Sequence, residues 1–133
     1  VDAVQKKVNF LDRVIEELGL KGIAAVHGRA EEMGRREEHR ERYDLVVARS
    51  FGRPAVVAEC AAPLLRVGGS LVVSEPPAGS DGRWSAEGLT ELGFGVVVPS
   101  VADGHHLVRC PLVSPTPDRY PRRVGQPTKR PLF

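Results

Sequence analysis

The stretch at residues 43–49, YDLVVAR, decides the fold of this chain. Its centre is a continuous apolar run without polar alternation, which is typical of a strand that is buried on both faces of a parallel sheet. Residues 22–26 (GIAAV) and 70–74 (SLVVS) are similar short runs, and residues 1–2 read as the end of another strand. These segments predict the parallel strands of one α/β domain.

Segments with helical signals separate the predicted strands. Apolar side chains recur at helical spacing from Val4, and Gly19 marks the end of that helix. Pro54 suits the first turn of another helix, where an N–H group would have no helical partner. The predicted helices cover residues 4–18, 30–40, 54–65 and 85–92, and a Pro/Gly/Ser loop covers residues 76–81. This alternation indicates βαβ units and a sheet that is covered on both faces.

No helix separates the last two predicted strands, at residues 94–98 and 106–111. They can pair antiparallel through a turn at residues 101–104. The sequence therefore predicts an α/β, Rossmann-like sheet that is mostly parallel, with an antiparallel strand near the C-terminus. In such sheets, ligands bind outside the carboxyl ends of the parallel strands.

The charge of the chain is nearly balanced overall but not at its C-terminal end. Its 133 residues suffice for a single core, and 19 cationic against 17 anionic side chains leave a net charge of only +2. Any surface for a polyanion must therefore be local. Residues 118–133, DRYPRRVGQPTKRPLF, combine five cations and one carboxylate with interspersed prolines. We divide the chain into residues 1–117 and this basic strip, residues 118–133, within one domain.

Membrane, secretion and metal-site signals are all missing from this sequence. No apolar run reaches the roughly 18 residues that span a bilayer, and no secretory signal is present. Cys60 and Cys110 lie in apolar surroundings and read as buried free thiols of a reducing cytosol. Without a CxxC motif or a Cys/His cluster, nothing indicates a metal site. We expect a cytoplasmic protein that binds no metal.

Polar residues follow the first two predicted strands at their carboxyl ends. Asp2 either accepts hydrogen bonds from ribose hydroxyl groups or caps the helix that begins near Val4, and its position favours neither reading. After the second strand, residues 27–31 can place Ala30 against an adenine ring. The alternative is a simple turn followed by Glu31, whose charge complements the helix dipole.

Arg49 ends the predicted strand at the central crevice of the sheet. Its planar guanidinium can bind a phosphate or a carboxylate, and Phe51 can stack on a base. Alternatively, Arg49 pairs with a structural acid and Phe51 packs beneath the following helix. The charge-dense residues 35–42 are balanced in sign and read as a solvated helix end with salt bridges.

Several motifs occur in the order that one known family shows. They are Asp2 with the downstream KKVNFL at residues 6–11, HGRAE at 27–31, YDLVVAR at 43–49, PLL with the downstream GG at 63–69, and YPRRVGQPTKRPL at 120–132. Together they resemble the ribosomal RNA small subunit methyltransferase G family, also called glucose-inhibited division protein B. The resemblance extends over nearly the whole chain, and the terminal proline- and arginine-rich motif is its most specific part.

The resemblance implies a class I methyltransferase fold and an enzyme that transfers a methyl group from S-adenosylmethionine to N7 of a guanine in 16S rRNA. It implies that Asp2 binds the cofactor ribose and that Ala30 and Glu31 border the adenine. It also implies that Arg49 lines the cleft where the methyl donor and the guanine meet, as the catalytic residue and a cofactor contact. The implied partner is 16S rRNA or the small ribosomal subunit, bound by a monomer. Its predicted RNA contacts in the strip are Arg122, Arg123, Lys129 and Arg130.

Two departures from the family pattern bear on activity. The glycine-rich first motif and the helices before it are missing, so we expect an N-terminally incomplete domain from a longer protein. Glu75 stands where the family has a lysine, and a reversed charge beside RNA should weaken a phosphate contact. Both departures favour the alternative, a non-catalytic relative that binds RNA or the ribosome.

Overall fold

The computed structural model describes residues 1–76 and 82–133. In chain order, its elements are α1 (Gln5–Glu17), α2 (Ala30–Met33), β1 (Tyr43–Ala48), α3 (Pro54–Ala61), a 3-10 turn (Ala62–Leu64), β2 (Leu65–Glu75), α4 (Ala86–Leu92), β3 (Val98–Ala102), β4 (His105–Pro111) and α5 (Gln126–Lys129). Most of the predicted 76–81 loop lies outside the described residues. None of the described helices is long and apolar enough to span a membrane.

The four strands form one sheet in the order β1-β2-β4-β3. β1 pairs parallel with β2, whereas β4 pairs antiparallel with both β2 and β3. Three strands thus share one direction and β4 alone opposes them. The prediction of an α/β, mostly parallel sheet with an antiparallel strand near the C-terminus is confirmed.

The β3–β4 turn lies within residues 101–104, as predicted, but the strand before the turn does not have the predicted bounds. Asp103 and Gly104 both have positive φ angles, 50° and 76°, as a tight right-twisted hairpin requires. The predicted strand at residues 94–98 is wrong, because α4 ends at Gly93 with φ 96° and the buried Phe94 makes only an isolated bridge to Leu112. β3 begins at Val98 instead.

One other predicted element does not form, and another is shorter than expected. Residues 22–26 form no strand, because their neighbourhood offers only an isolated bridge between Asp2 and His27, and Ile23 is 57% exposed. The predicted helix at residues 30–40 stops after Met33. Turns follow, since the chain must reverse so that Glu41 N–H can donate to Pro63 O.

The core lies on one side of the sheet, under α3 and α4. Its central buried side chains are Ala58, Leu65, Leu71, Leu89, Leu92, Phe94, Val108, Cys110 and Leu112. Val46 and Ala48 of β1 pack against this cluster, whereas Leu45 and Val47 on the opposite face are 54% and 68% exposed. The expected cover on both faces is therefore not seen at β1 in the described residues.

Candidate active site

A cavity opens where β1 and β2 end. These neighbouring strands are parallel, so their carboxyl ends meet at the same edge of the sheet. The cavity has a volume of about 660 Å³. Its lining includes two aromatic rings and two guanidinium groups, from Phe51, Trp84, Arg49 and Arg83, together with Glu75 and His106. The mixture suits a flat polar ring that carries a negatively charged group.

Arg49 reaches this cavity because the chain turns sharply after β1. Ser50 adopts a left-handed conformation with φ 51°, and Pro54 then begins α3. Arg49 is exposed, and within residues 1–76 and 82–133 it forms no ion pair. Arg49 lines the cavity, but β1 is the edge strand of the described sheet, so the predicted central position and the catalytic role of Arg49 both stay predictions.

Glu75 connects the end of β2 with the loop before α4. Its side chain is only 3% exposed and forms an ion pair with Arg83. The indole Nε1–H of Trp84 donates to Glu75 Oε1 at 3.2 Å. Glu75 is therefore a buried acceptor whose charge is balanced by Arg83, and Arg83 restores a cation to the cavity wall. Sequence reasoning identified Glu75 as a reversed charge but missed this compensation.

Asp2 lies beside the loop that precedes Ala30, and it is not among the residues that line the cavity. Its N–H donates to Val26 O at 3.1 Å, and its carbonyl accepts from Gly28 N–H at 3.1 Å. Asp2 Oδ1 accepts from Val4 N–H at 2.8 Å, and Lys7 Nζ lies 3.6 Å from Oδ2. The hydrogen bond from Val4, helped by Lys7, lowers the pKa of Asp2. The Asp2 carboxylate thus binds the N–H of Val4, which is itself the N-cap residue of α1, and the ribose-binding role stays a prediction.

Ala30 begins α2 and is half-buried, while Glu31 is buried. Glu31 Oε1 accepts from Gly125 N–H of the C-terminal strip at 3.0 Å, and Arg29 Nη2 lies 3.5 Å away. Burial acts to raise the pKa of Glu31, but the backbone hydrogen bonds and the Arg29 charge outweigh it, so the pKa is lowered. Glu31 thus holds the strip, and its predicted contact with adenine stays a prediction.

Arg122 is turned inward by Glu59, which lies at the centre of α3. The Glu59 side chain is fully buried, and its oxygens accept from Arg122 Nε at 2.9 Å and from Nη2 at 2.6 Å. The backbone N–H of Arg122 also donates to Glu59 Oε1 at 2.8 Å. The hydrogen bonds that the Arg122 side chain donates to Glu59 raise the pKa of Arg122. The guanidinium of Arg122 is therefore already paired, and an RNA phosphate would have to compete with Glu59 for it. The predicted RNA contact of Arg122 stays a prediction.

The other predicted RNA-binding residues of the strip face solvent. Arg123, Lys129 and Arg130 are exposed, and none of them forms an ion pair in the described part of the chain. Their charges are available to an anion. The strip therefore has a buried side, which anchors it, and an exposed cationic side.

Arg40 is a third anchor of the strip, besides Glu31 and Glu59, and sequence reasoning missed it. Its guanidinium donates to Tyr120 O at 2.8 Å, Thr116 O at 3.0 Å and Gly34 O at 3.1 Å. It lies in the charge-balanced segment that was predicted to be a solvated helix end, so its composition gave no signal. For Glu59, a signal existed: a single carboxylate inside the apolar helix PAVVAECA needs a buried partner.

The chain is similar to known proteins of one family. A family model described as rRNA small subunit methyltransferase G matches residues 1–75 of its 133 residues. The chain belongs to this family. The resemblance read from the motifs is thereby confirmed.

Members of the methyltransferase G family from other organisms match both the family region and the strip. The Ribosomal RNA small subunit methyltransferase G of Lactobacillus delbrueckii subsp. bulgaricus is 39% identical over 99% of this chain and 58% of its own length. That of Deinococcus deserti is 41% identical over 100% of this chain and 57% of its own length. The chain therefore spans somewhat more than half the length of these curated relatives.

A solved structure supports the fold alone. A possible exported protein from Bordetella parapertussis aligns with a TM-score of 0.57 over 85% of this chain and 52% of the other, at 18% identity. This likeness shows that chains of very different sequence share the fold.

Proposed function

We propose that this chain carries part of an S-adenosylmethionine-dependent methyltransferase that modifies N7 of a guanine in 16S rRNA. The observation that carries the proposal is the match to relatives named ribosomal RNA small subunit methyltransferase G over nearly the whole chain. The cavity at the ends of β1 and β2 supports it, because two aromatic and two guanidinium groups suit a nucleotide with its phosphate.

The residues beside α1 fit the ribose and adenine ends of the cofactor. Asp2 is ionised at neutral pH, since its pKa is lowered, and its carboxylate is partly exposed. An ionised carboxylate can accept two hydroxyl hydrogen bonds. Ala30, half-buried at the start of α2, offers a small apolar contact for a flat ring. S-adenosylmethionine, when bound, supplies an electrophilic methyl group.

Methyl transfer to guanine N7 requires the protein mainly to position the two reactants. N7 already carries a free lone pair, so no general base has to remove a proton before the new N–C bond forms. Arg49 and Phe51 can orient the nucleotide in the cavity, and correct alignment of the reacting atoms supplies most of the rate enhancement. The residues of the cavity therefore need no His/Asp dyad.

The exposed side of the strip is proposed to meet the RNA backbone. Arg123, Lys129 and Arg130 would contact phosphate, while Arg122 and Glu59 hold the strip on α3. We further propose that the protein acts as a monomer in the cytoplasm, on 16S rRNA or the small ribosomal subunit. Arg123→Ala should lower the slope of log affinity against log salt by about 0.7 for single-stranded RNA.

The test combines cofactor binding with transfer. Calorimetry with S-adenosylmethionine should show saturable binding, and labelled methyl groups should appear at guanine N7 of 16S rRNA. Asp2→Asn should weaken cofactor binding, whereas Asp12→Asn, on the exposed part of α1, should leave it unchanged. RNA binding without any cofactor binding at millimolar concentration would instead identify a non-catalytic RNA-binding relative.

A further inference from the structure

We propose that Trp84 is the stacking platform for the target base and that Glu75 is the positioning residue that fixes it. The inference rests on the proposed function, because it takes the cavity as the site of the RNA nucleotide. It assigns a base contact to a residue that lies in the loop before α4, beyond the region matched by the family model.

The position of Trp84 fits a platform. Its ring is half-buried and packs against the hydrophobic core, and the residue also lines the cavity. One part of the ring is thus supported by the core while another borders the space for a ligand. A base that stacks on an aromatic side chain gains about 5- to 150-fold in affinity.

Glu75 restricts the orientation of the indole. The Nε1–H of Trp84 donates to Glu75 Oε1 at 3.2 Å, and the carboxylate is 3% exposed. This buried acceptor favours one orientation of the indole, since rotation of the ring would break the hydrogen bond of its N–H group. The ion pair with Arg83 compensates the charge of Glu75.

Arg83 completes the site on its rim. Its side chain is 38% exposed although it is paired with Glu75, so its outer N–H groups remain accessible. The lining thus carries two positive charges, from Arg49 and Arg83, against the single negative charge of Glu75. A nucleotide that stacks on Trp84 can therefore place its phosphate between Arg49 and Arg83.

Trp84 is the single tryptophan of the chain, so its fluorescence reports on this cavity directly. Titration with a short guanine-containing RNA oligonucleotide should quench the emission, while the anisotropy of the labelled oligonucleotide measures binding independently. Trp84→Ala should weaken binding about 5- to 150-fold and Trp84→Phe, which keeps a ring, by less. Arg83→Ala should weaken binding and lower the salt slope by about 0.7. Arg66→Ala removes an exposed, ion-paired arginine outside the cavity lining and should leave affinity and quenching unchanged.

Variants at Glu75 separate a positioning role from a purely structural one. Glu75→Gln keeps an oxygen acceptor for the indole and should retain quenching, whereas Glu75→Ala, measured well below its unfolding midpoint, should lose most of it. Oligonucleotide binding that leaves the emission of Trp84 unchanged would overturn this inference but not the proposed function. Absence of any RNA binding would overturn both this inference and the proposed action on RNA. Saturable binding of S-adenosylmethionine in the same protein would show that the cofactor part of the proposed function still holds.

Discussion

The burial of the first 28 residues and of the last 16 residues is the opposite of what their sequence patterns suggest. The N-terminal segment has helical apolar spacing, yet Phe10 and Leu18 are 57% and 67% exposed and Val8 is the only buried residue of α1. The strip at residues 118–133 has no apolar period, yet Pro121 and Pro127 are fully buried. Directed polar contacts from Glu31, Arg40 and Glu59 hold it down.

The difference shows that anchoring depends on partners and not on hydrophobicity alone. α1 offers an apolar surface for which the described residues supply little complement. The strip offers cations and backbone N–H groups, and two buried carboxylates on α2 and α3 bind them. Prolines lower the entropy that such a segment loses on ordering.

The sharpest test of this contrast compares two adjacent arginines of the strip. Arg122→Ala leaves the fully buried Glu59 without its countercharge and should lower the free energy of unfolding by about 3–5 kcal/mol. Arg123→Ala, at an exposed neighbour, should change it by less than about 0.5 kcal/mol. Urea denaturation measures both. Equal effects of the two substitutions would mean that the strip is not held through Glu59.

A smaller effect is expected in α1. Val8→Ala removes two buried methyl groups and should lower the free energy of unfolding by about 1–2 kcal/mol. Phe10→Ser removes a larger but mostly exposed side chain and should change it by less than about 0.5 kcal/mol. A larger loss from Phe10→Ser in thermal and urea unfolding would show that α1 buries this ring in solution.

The smallest effect concerns the pH dependence of the strip. The pKa of Glu31 is lowered on folding, so its contribution is complete above the unfolded value near 4.5 and disappears as the pH falls through the folded value. Glu31→Gln should flatten the decline of stability below about pH 5. The exposed Glu38→Gln serves as a control and should leave that decline unchanged. Identical acid profiles for the two variants would contradict the role given to Glu31.

The sequence predicted strands correctly where a segment has at least one ladder partner. Residues 70–74 lie in β2, between β1 and β4, and their apolar character reflects that burial. Residues 22–26 have similar composition but lack a ladder partner among the described residues, so the same pattern gave a wrong strand. Local composition reports the preference of a segment, whereas strand formation also requires a partner.

The candidate site was predictable only in part for a related reason. Arg49 follows from its place at the end of a parallel strand, which topology fixes. The pairs Glu59–Arg122 and Glu31–Gly125 join residues that are 63 and 94 positions apart. No local period encodes such contacts. The same holds for Glu75 and Trp84, whose relation depends on how the loop before α4 returns to the end of β2.

The guanidinium of Arg40 also has a consequence for the order of events in folding. It bonds to carbonyl oxygens at Thr116 and Tyr120, which are 76 and 80 positions further along the chain. During synthesis, residues near position 40 leave the ribosome well before those carbonyls exist. The turns around Arg40 can therefore reach their final form only after the strip has been made and has docked.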